Sequence, residues 1–126
     1  MATSRRAQRV ASQIARDVGN ILQTRVNDPE LGFVTVTRAD VTADLRQAKV
    51  FWAVLGNDED QLRTRKALNR AAKHVRRELG LILGLRHTPE VQFVMDAGYQ
   101  AERAVLETLR GLDVERKDPS KDTDGS

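Results

Sequence analysis

The sequence predicts an α+β fold, a three-stranded mixed sheet covered on one face by helices, and three patterns lead there. Two long stretches, 5–26 and roughly 58–83, place apolar residues at three- and four-residue steps, the period of an amphipathic helix. Two runs, 33–42 and 47–55, are dense in the β-branched and aromatic residues that favour strands. A turn of about four residues joins those runs, which suits an antiparallel hairpin, and a long helical linker then leads to a third alternating run.

In the first helix the apolar stripe is Ala7, Val10, Ala11, Ile14, Val18, Ile21 and Leu22. Ser4 is its expected N-cap. Asp28-Pro29 should end it, because the residue before proline is pushed out of the α region. In the second strand Ala48, Val50, Trp52 and Val54 share one face, and Lys49, Phe51, Ala53 and Leu55 the other. Gly56-Asn57 breaks the chain, and Asp58, Glu59 and Asp60 stand where a helix N-terminus favours acids. The second helix then buries Leu68, Ala71, Ala72, Val75, Leu79 and Ile82 on one side, with Gly80 and Gly84 marking its end and turn. The third strand is 91–95, entered through Thr88-Pro89, and the helical crossover is expected to return it parallel to the first strand. A weaker helical period covers 99–112. Residues 1–112 are read as one domain and 113–126 as a disordered polar tail, because Val114 is the tail's one large apolar residue.

At 126 residues the chain is too short to enclose a large active-site cavity. It has no cysteine, which excludes disulfides, thiol nucleophiles and thiolate metal sites. Two histidines do not make a multi-histidine cage. No apolar run approaches the ~20 residues of a membrane helix, and no secretory leader is recognisable. A cytoplasmic protein with no membrane partner is expected.

The net charge of +3 conceals an asymmetry. Residues 61–77 carry seven bases (Arg63, Arg65, Lys66, Arg70, Lys73, Arg76, Arg77) and no acid, while the rest of the chain is neutral or acidic. On a helix, Lys66, Arg70, Lys73 and Arg77 fall within roughly 60° of one another, opposite the apolar side. Arg5, Arg9 and Arg16 likewise fall within roughly 40° on the first helix. Solvated helix faces usually mix signs for pairing four residues apart, and this one does not. A row of cations at one-turn spacing can meet successive phosphates, each contact releasing counterion. Nucleic acid is therefore the expected partner; the competing reading is an adaptor that docks an acidic protein on the basic helix.

Base-specific reading has less support. Phe51 and Trp52 must point to opposite faces of the sheet, so one of them could stack on a base, although strand aromatics are more often packed. An enzyme would need a constellation of roles. Asp40, Asp44 and Asp96 could hold Mg²⁺ for a nuclease, but Asp40 and Asp44 flank a hairpin, where Asp commonly forms turns. Neither His74 nor His87 has a clear sequence-local carboxylate partner for acid–base work. No catalysis, metal or cofactor is expected.

Four stretches carry a family resemblance. Asn27-Asp28-Pro29-Glu30-Leu31-Gly32-Phe33-Val34-Thr35-Val36-Thr37 is the most distinctive. Thr42-Ala43-Asp44-Leu45-Arg46 followed by Ala48-Lys49-Val50, then Ala67-Leu68-Asn69, then Arg86-His87-Thr88-Pro89-Glu90-Val91-Gln92-Phe93 follow it. In order and spacing, over roughly residues 5–110, the chain resembles the ribosome-binding factor A family. The resemblance implies a type II KH-like fold in the order α-β-β-α-kink-α-β-α. It implies a non-enzymatic factor that binds 16S rRNA in the immature 30S subunit, helps the 5′ end and central region of that RNA mature, and matters most in the cold. It also implies release aided by a ribosome-associated GTPase. The family's kink carries Ala-x-Gly; here Ala71-Ala72-Lys73 occupies those positions. Lys is a better helix former than Gly by up to about 1 kcal/mol, which favours a straighter helix and adds a charge to the RNA face.

The residues expected to contact phosphate are Lys66, Arg70, Lys73 and Arg77, flanked by Arg76, Arg5, Arg9 and Arg16, with Arg86 and His87 beside the Thr88-Pro89 turn. Asp28, Pro29, Gly32 and Pro89 are read as structural, and the chain as a monomer.

Overall fold

The computed structural model describes residues 4–117. The chain divides between Asp96 and Ala97 into two compact units. The first holds, in order, helix α1 (Arg5–Thr24), a 3₁₀ turn (Pro29–Leu31), strands β1 (Val34–Val41) and β2 (Gln47–Val54), helix α2 (Asp58–Leu83) and strand β3 (Glu90–Met95). The second is helix α3 (Ala97–Lys117).

Each element begins and ends for a local reason. The Ser4 hydroxyl accepts a hydrogen bond from the Ala7 N–H at 3.1 Å and caps α1. α1 stops at Thr24, earlier than Asp28-Pro29 alone requires. The Asp28 carboxylate accepts from the Glu30 N–H and starts the 3₁₀ turn, with Pro29 in its first turn, so the chain has to leave the helix before it. Gly32 then holds φ 63°, ψ −150°, a conformation open to glycine, and redirects the chain into β1. In the β1–β2 turn the Asp44 carboxylate accepts from the Thr42 hydroxyl (2.7 Å) and the Arg46 N–H (3.1 Å). α2 opens with a reciprocal cap, Asp60 N–H to the Asn57 side chain and Asn57 N–H to the Asp60 carboxylate. It closes on Gly84 in the left-handed conformation, φ 62°.

The sheet order is β1-β2-β3, antiparallel between β1 and β2 and parallel between β2 and β3. The expected direction of β3 is thus corrected: it runs parallel to β2, not to β1. A helical crossover carries the chain back to the end at which β2 began, so the next strand repeats the direction of the strand just finished. A register shift between Val36 and Arg38 leaves Thr37 without a partner in the ladder. Val34 and Val36 before the bulge, and Ala39 and Val41 after it, all pack toward the helices.

α1 and α2 cover the same face, and their apolar stripes meet Ala48, Val50, Trp52 and Val54 of β2 in one core. Trp52 is the largest fully buried side chain. Phe51 faces the other way, under the Arg38 guanidinium at 3.7 Å from the ring centroid. Its covering group is a cation of the chain itself.

Three further expectations change. Ile82, read with the buried side of α2, is 52% exposed, because the helix ends at Gly84 just beyond it and its last turn passes the core. The stretch that the family resemblance divides at a kink is a single helix from Asp58 to Leu83, uninterrupted at Ala71-Ala72-Lys73. Ala and Lys both keep the helical hydrogen-bond ladder without the backbone freedom that a glycine introduces. α3 continues to Lys117, five residues past the boundary read at 112. Glu115, Arg116 and Lys117 are good helix formers, and extending an existing helix needs no new nucleus. The remainder of the expected tail, 118–126, lies outside the described residues.

Candidate nucleic-acid interface

α2 displays its basic residues because its core side is fully committed. Ala67, Leu68, Ala71, Val75 and Leu79 are buried, which turns Lys66, Arg70, Lys73 and Arg77 outward, and all four are exposed. Their electrostatic states differ. Arg70 donates two hydrogen bonds to one Asp28 carboxylate oxygen, at 3.0 and 3.3 Å. Among the described residues Lys66, Lys73 and Arg77 pair with no acid. Three cations thus stand along one face with their charge uncompensated.

At the C-terminal end of α2 this row runs into an open groove of about 680 Å³ lined by Lys73, Arg76, Arg77, Arg86, His87 and Glu90 among others. The turn from α2 to β3 therefore brings Arg86 and His87 beside Lys73 and Arg77, nine or more positions earlier in the chain. Arg76 also lines the groove, but its guanidinium is engaged. It donates to the backbone carbonyls of Thr88 (3.0 Å) and Pro89 (3.2 Å), and pairs with Glu90 at 3.4 Å. Arg76 holds the turn that presents Arg86 and His87, and is less free for a ligand than its neighbour Arg77. Gly80 lets the turn close on α2, since a Cβ there would lie 2.5 Å from the Thr88 hydroxyl oxygen.

Arg5, Arg9 and Arg16 share the outer side of α1, where they line a separate groove of about 770 Å³ with Gln8, Ser12 and Gln13. Arg16 donates to the Gln13 side-chain carbonyl at 2.7 Å. The structure thus gathers Lys73, Arg77, Arg86 and His87 in one place and leaves the α1 set on another groove.

Sequence reasoning took Asp28 for a helix stop and missed its second role as the counter-ion of Arg70. Its carboxyl is held below the ordinary 3.8, first by the Glu30 N–H and then by the Arg70 guanidinium. Their separation of 42 residues leaves no local pattern to read. Asp44 is also lowered, by the Thr42 hydroxyl and the Arg46 N–H, which marks it as a turn residue. Asp40 pairs with Arg38 at 2.9 Å, and Asp96 accepts from the Thr37 hydroxyl at 2.7 Å. Among the described residues no group of three or more His, Asp or Glu is placed to hold a metal ion, and no helix is long and apolar enough to cross a membrane.

A mixed three-stranded sheet with α1 and α2 on one face defines a KH-like α+β protein, and the cationic row of α2 runs into a cationic turn. The sequence profile of ribosome-binding factor A matches residues 6–109, and the chain belongs to that family. It is 43% identical over 109 residues to the ribosome-binding factor A of Thermobifida fusca, covering 86% of this chain and 72% of the relative. The fold is similar to that of a Thermotoga maritima protein named for the same factor, with TM-score 0.65 and 32% identity, over 75% of this chain and 90% of that one. It also resembles Thermus thermophilus ribosome binding factor A as fitted into a map of its 30S complex, with TM-score 0.55 and 23% identity, over 66% and 87% of the two chains.

Proposed function

We propose that this chain is an assembly factor that binds 16S rRNA in the free or immature 30S subunit and assists its late maturation, including processing of the 16S 5′ end. Family membership supports ribosome binding and a role in assembly, and the Thermus relative is placed in a 30S complex. The single observation that carries the contact surface is the row Lys66, Lys73 and Arg77, charged and without counter-ions among the described residues, leading to Arg86 and His87. Such a row neutralises successive phosphates and holds pre-mature rRNA helices in one arrangement while others fold. The factor works as a monomer in the cytoplasm without chemistry of its own, and a ribosome-associated GTPase aids its release.

Charge reversal of Lys66, Arg70 and Arg77 together tests this reading. Co-sedimentation with small subunits should disappear while the circular dichroism spectrum is unchanged. Retained binding in that triple variant removes α2 from the interface.

A further inference from the structure

The basic row uses the outer side of α2 and leaves several large exposed apolar side chains unexplained, Phe33 the most exposed of them among the described residues. Phe33 is 80% exposed, although it sits one residue before a strand whose first side chain, Val34, packs inward. Gly32 redirects the chain at that point, and strand alternation then sends Phe33 to the outside. Val34 is paired with Val54, so the next residue of β2's chain, Leu55, lies beside Phe33, and it is 44% exposed.

Phe33 forms a ridge between two grooves. One, of about 400 Å³, runs along Leu22, Val26 and Leu31. The other, of about 370 Å³, is floored by Pro29, Val54 and Leu55. The walls mix apolar and polar surface, and the charges on them choose the occupant. They carry Asp28, Glu30 and Asp60 against Arg63, and Asp28 is already held by Arg70 at 3.0 Å. Arg63 is already bound by Asp60 at 2.9 Å and Glu30 at 3.7 Å. Asp58 and Glu59 lie exposed on the adjoining first turn of α2. A phosphate entering here would meet carboxylates and no free cation. A Lys or Arg side chain would find the reverse: carboxylates for its charged head, the Phe33 face for a cation–π contact, and apolar walls for its stem.

We propose that the Phe33 ridge docks a polypeptide segment that alternates Lys or Arg with apolar residues. This site meets the phosphate-binding row at the Asp28–Arg70 pair, and the two recognition surfaces carry opposite electrostatic sign.

The test is an amide-shift titration of the whole chain with three probes: a short peptide alternating Lys and Leu, its Glu–Leu counterpart, and a short uridine oligomer. The Lys–Leu peptide should move the amides of 32–35 and 54–56, and the Glu–Leu peptide should not. The uridine oligomer should leave those amides in place and act on 66–77. Phe33→Ala should weaken the Lys–Leu peptide by about tenfold or more with an unchanged circular dichroism spectrum, and Glu30→Lys should weaken it as well. Unmoved amides at 32–35 with the Lys–Leu peptide, equal affinity for Phe33→Ala, or an RNA-induced shift at 32–35 would each overturn the proposal. The uridine response at 66–77 reports separately on the rRNA reading, so one can fail without the other.

Discussion

Arg76 and Arg77 are adjacent, and their side chains do different work. Arg77 is exposed and meets no acid among the described residues, whereas Arg76 is half-buried against two carbonyls. Arg77→Ala should therefore leave the urea midpoint nearly unchanged and weaken small-subunit binding. Arg76→Ala should cost about 1–2 kcal/mol of stability, because two carbonyls lose a charged donor. A chemical-denaturation curve for each variant separates the two roles. Asp28 and Asp44 set an acid dependence. Both carboxyls are depressed in the folded chain, so their contribution to stability is present above the ordinary 3.8 and is lost as pH falls through the lower folded values. The double variant Asp28→Asn, Asp44→Asn should flatten the stability curve below pH 3.8, measured by urea unfolding at several pH values. Asp28→Asn should also free Arg70 and tighten RNA binding at low salt, whereas weaker binding would place Asp28 in the interface as a positioning group.

At the scale of elements, α2 carries the proposed contact row, and its two ends are fixed by chemistry visible in the chain. Asn57 and Asp60 cap its start, and Gly84 in the left-handed conformation ends it just before the Arg86-His87 turn. Gly84→Ala meets no neighbour, so its cost is conformational alone, about 1 kcal/mol by thermal unfolding. That loss should come with a smaller weakening of RNA binding than Arg77→Ala causes. α1, β1, β2 and α2 were legible because each buries one face, and a buried face imposes a period of 3.6 or 2 on the sequence. The direction of β3 was not, because it depends on which strand the crossover leaves. The end of α3 was misread because composition alone separates weakly between a polar helix end and a disordered tail.

The whole molecule presents cations along α2 and carboxylates around Phe33, a separation that a net charge of +3 hides. If the row meets phosphates, binding to rRNA should weaken steeply with salt. Replacing Lys66, Lys73 and Arg77 by Gln should reduce the log–log salt slope by about 2 to 3. An unchanged slope in a filter-binding series would place the phosphate contacts elsewhere.

The sequence by itself determined the α+β class, the core stripe of each long helix except at Ile82, the strand faces and the basic side of α2, since all of these are periodic signals within one element. It also carried the family, through four stretches in fixed order. Only the tertiary structure decided which cations are spent. Asp28 reaches Arg70 and the Thr88-Pro89 turn reaches Arg76 across loops, and a contact between distant segments leaves no period in the chain. The exposure of Phe33 was decided in the same way, by a glycine turn and a strand register that place it outside the core while its neighbour goes in.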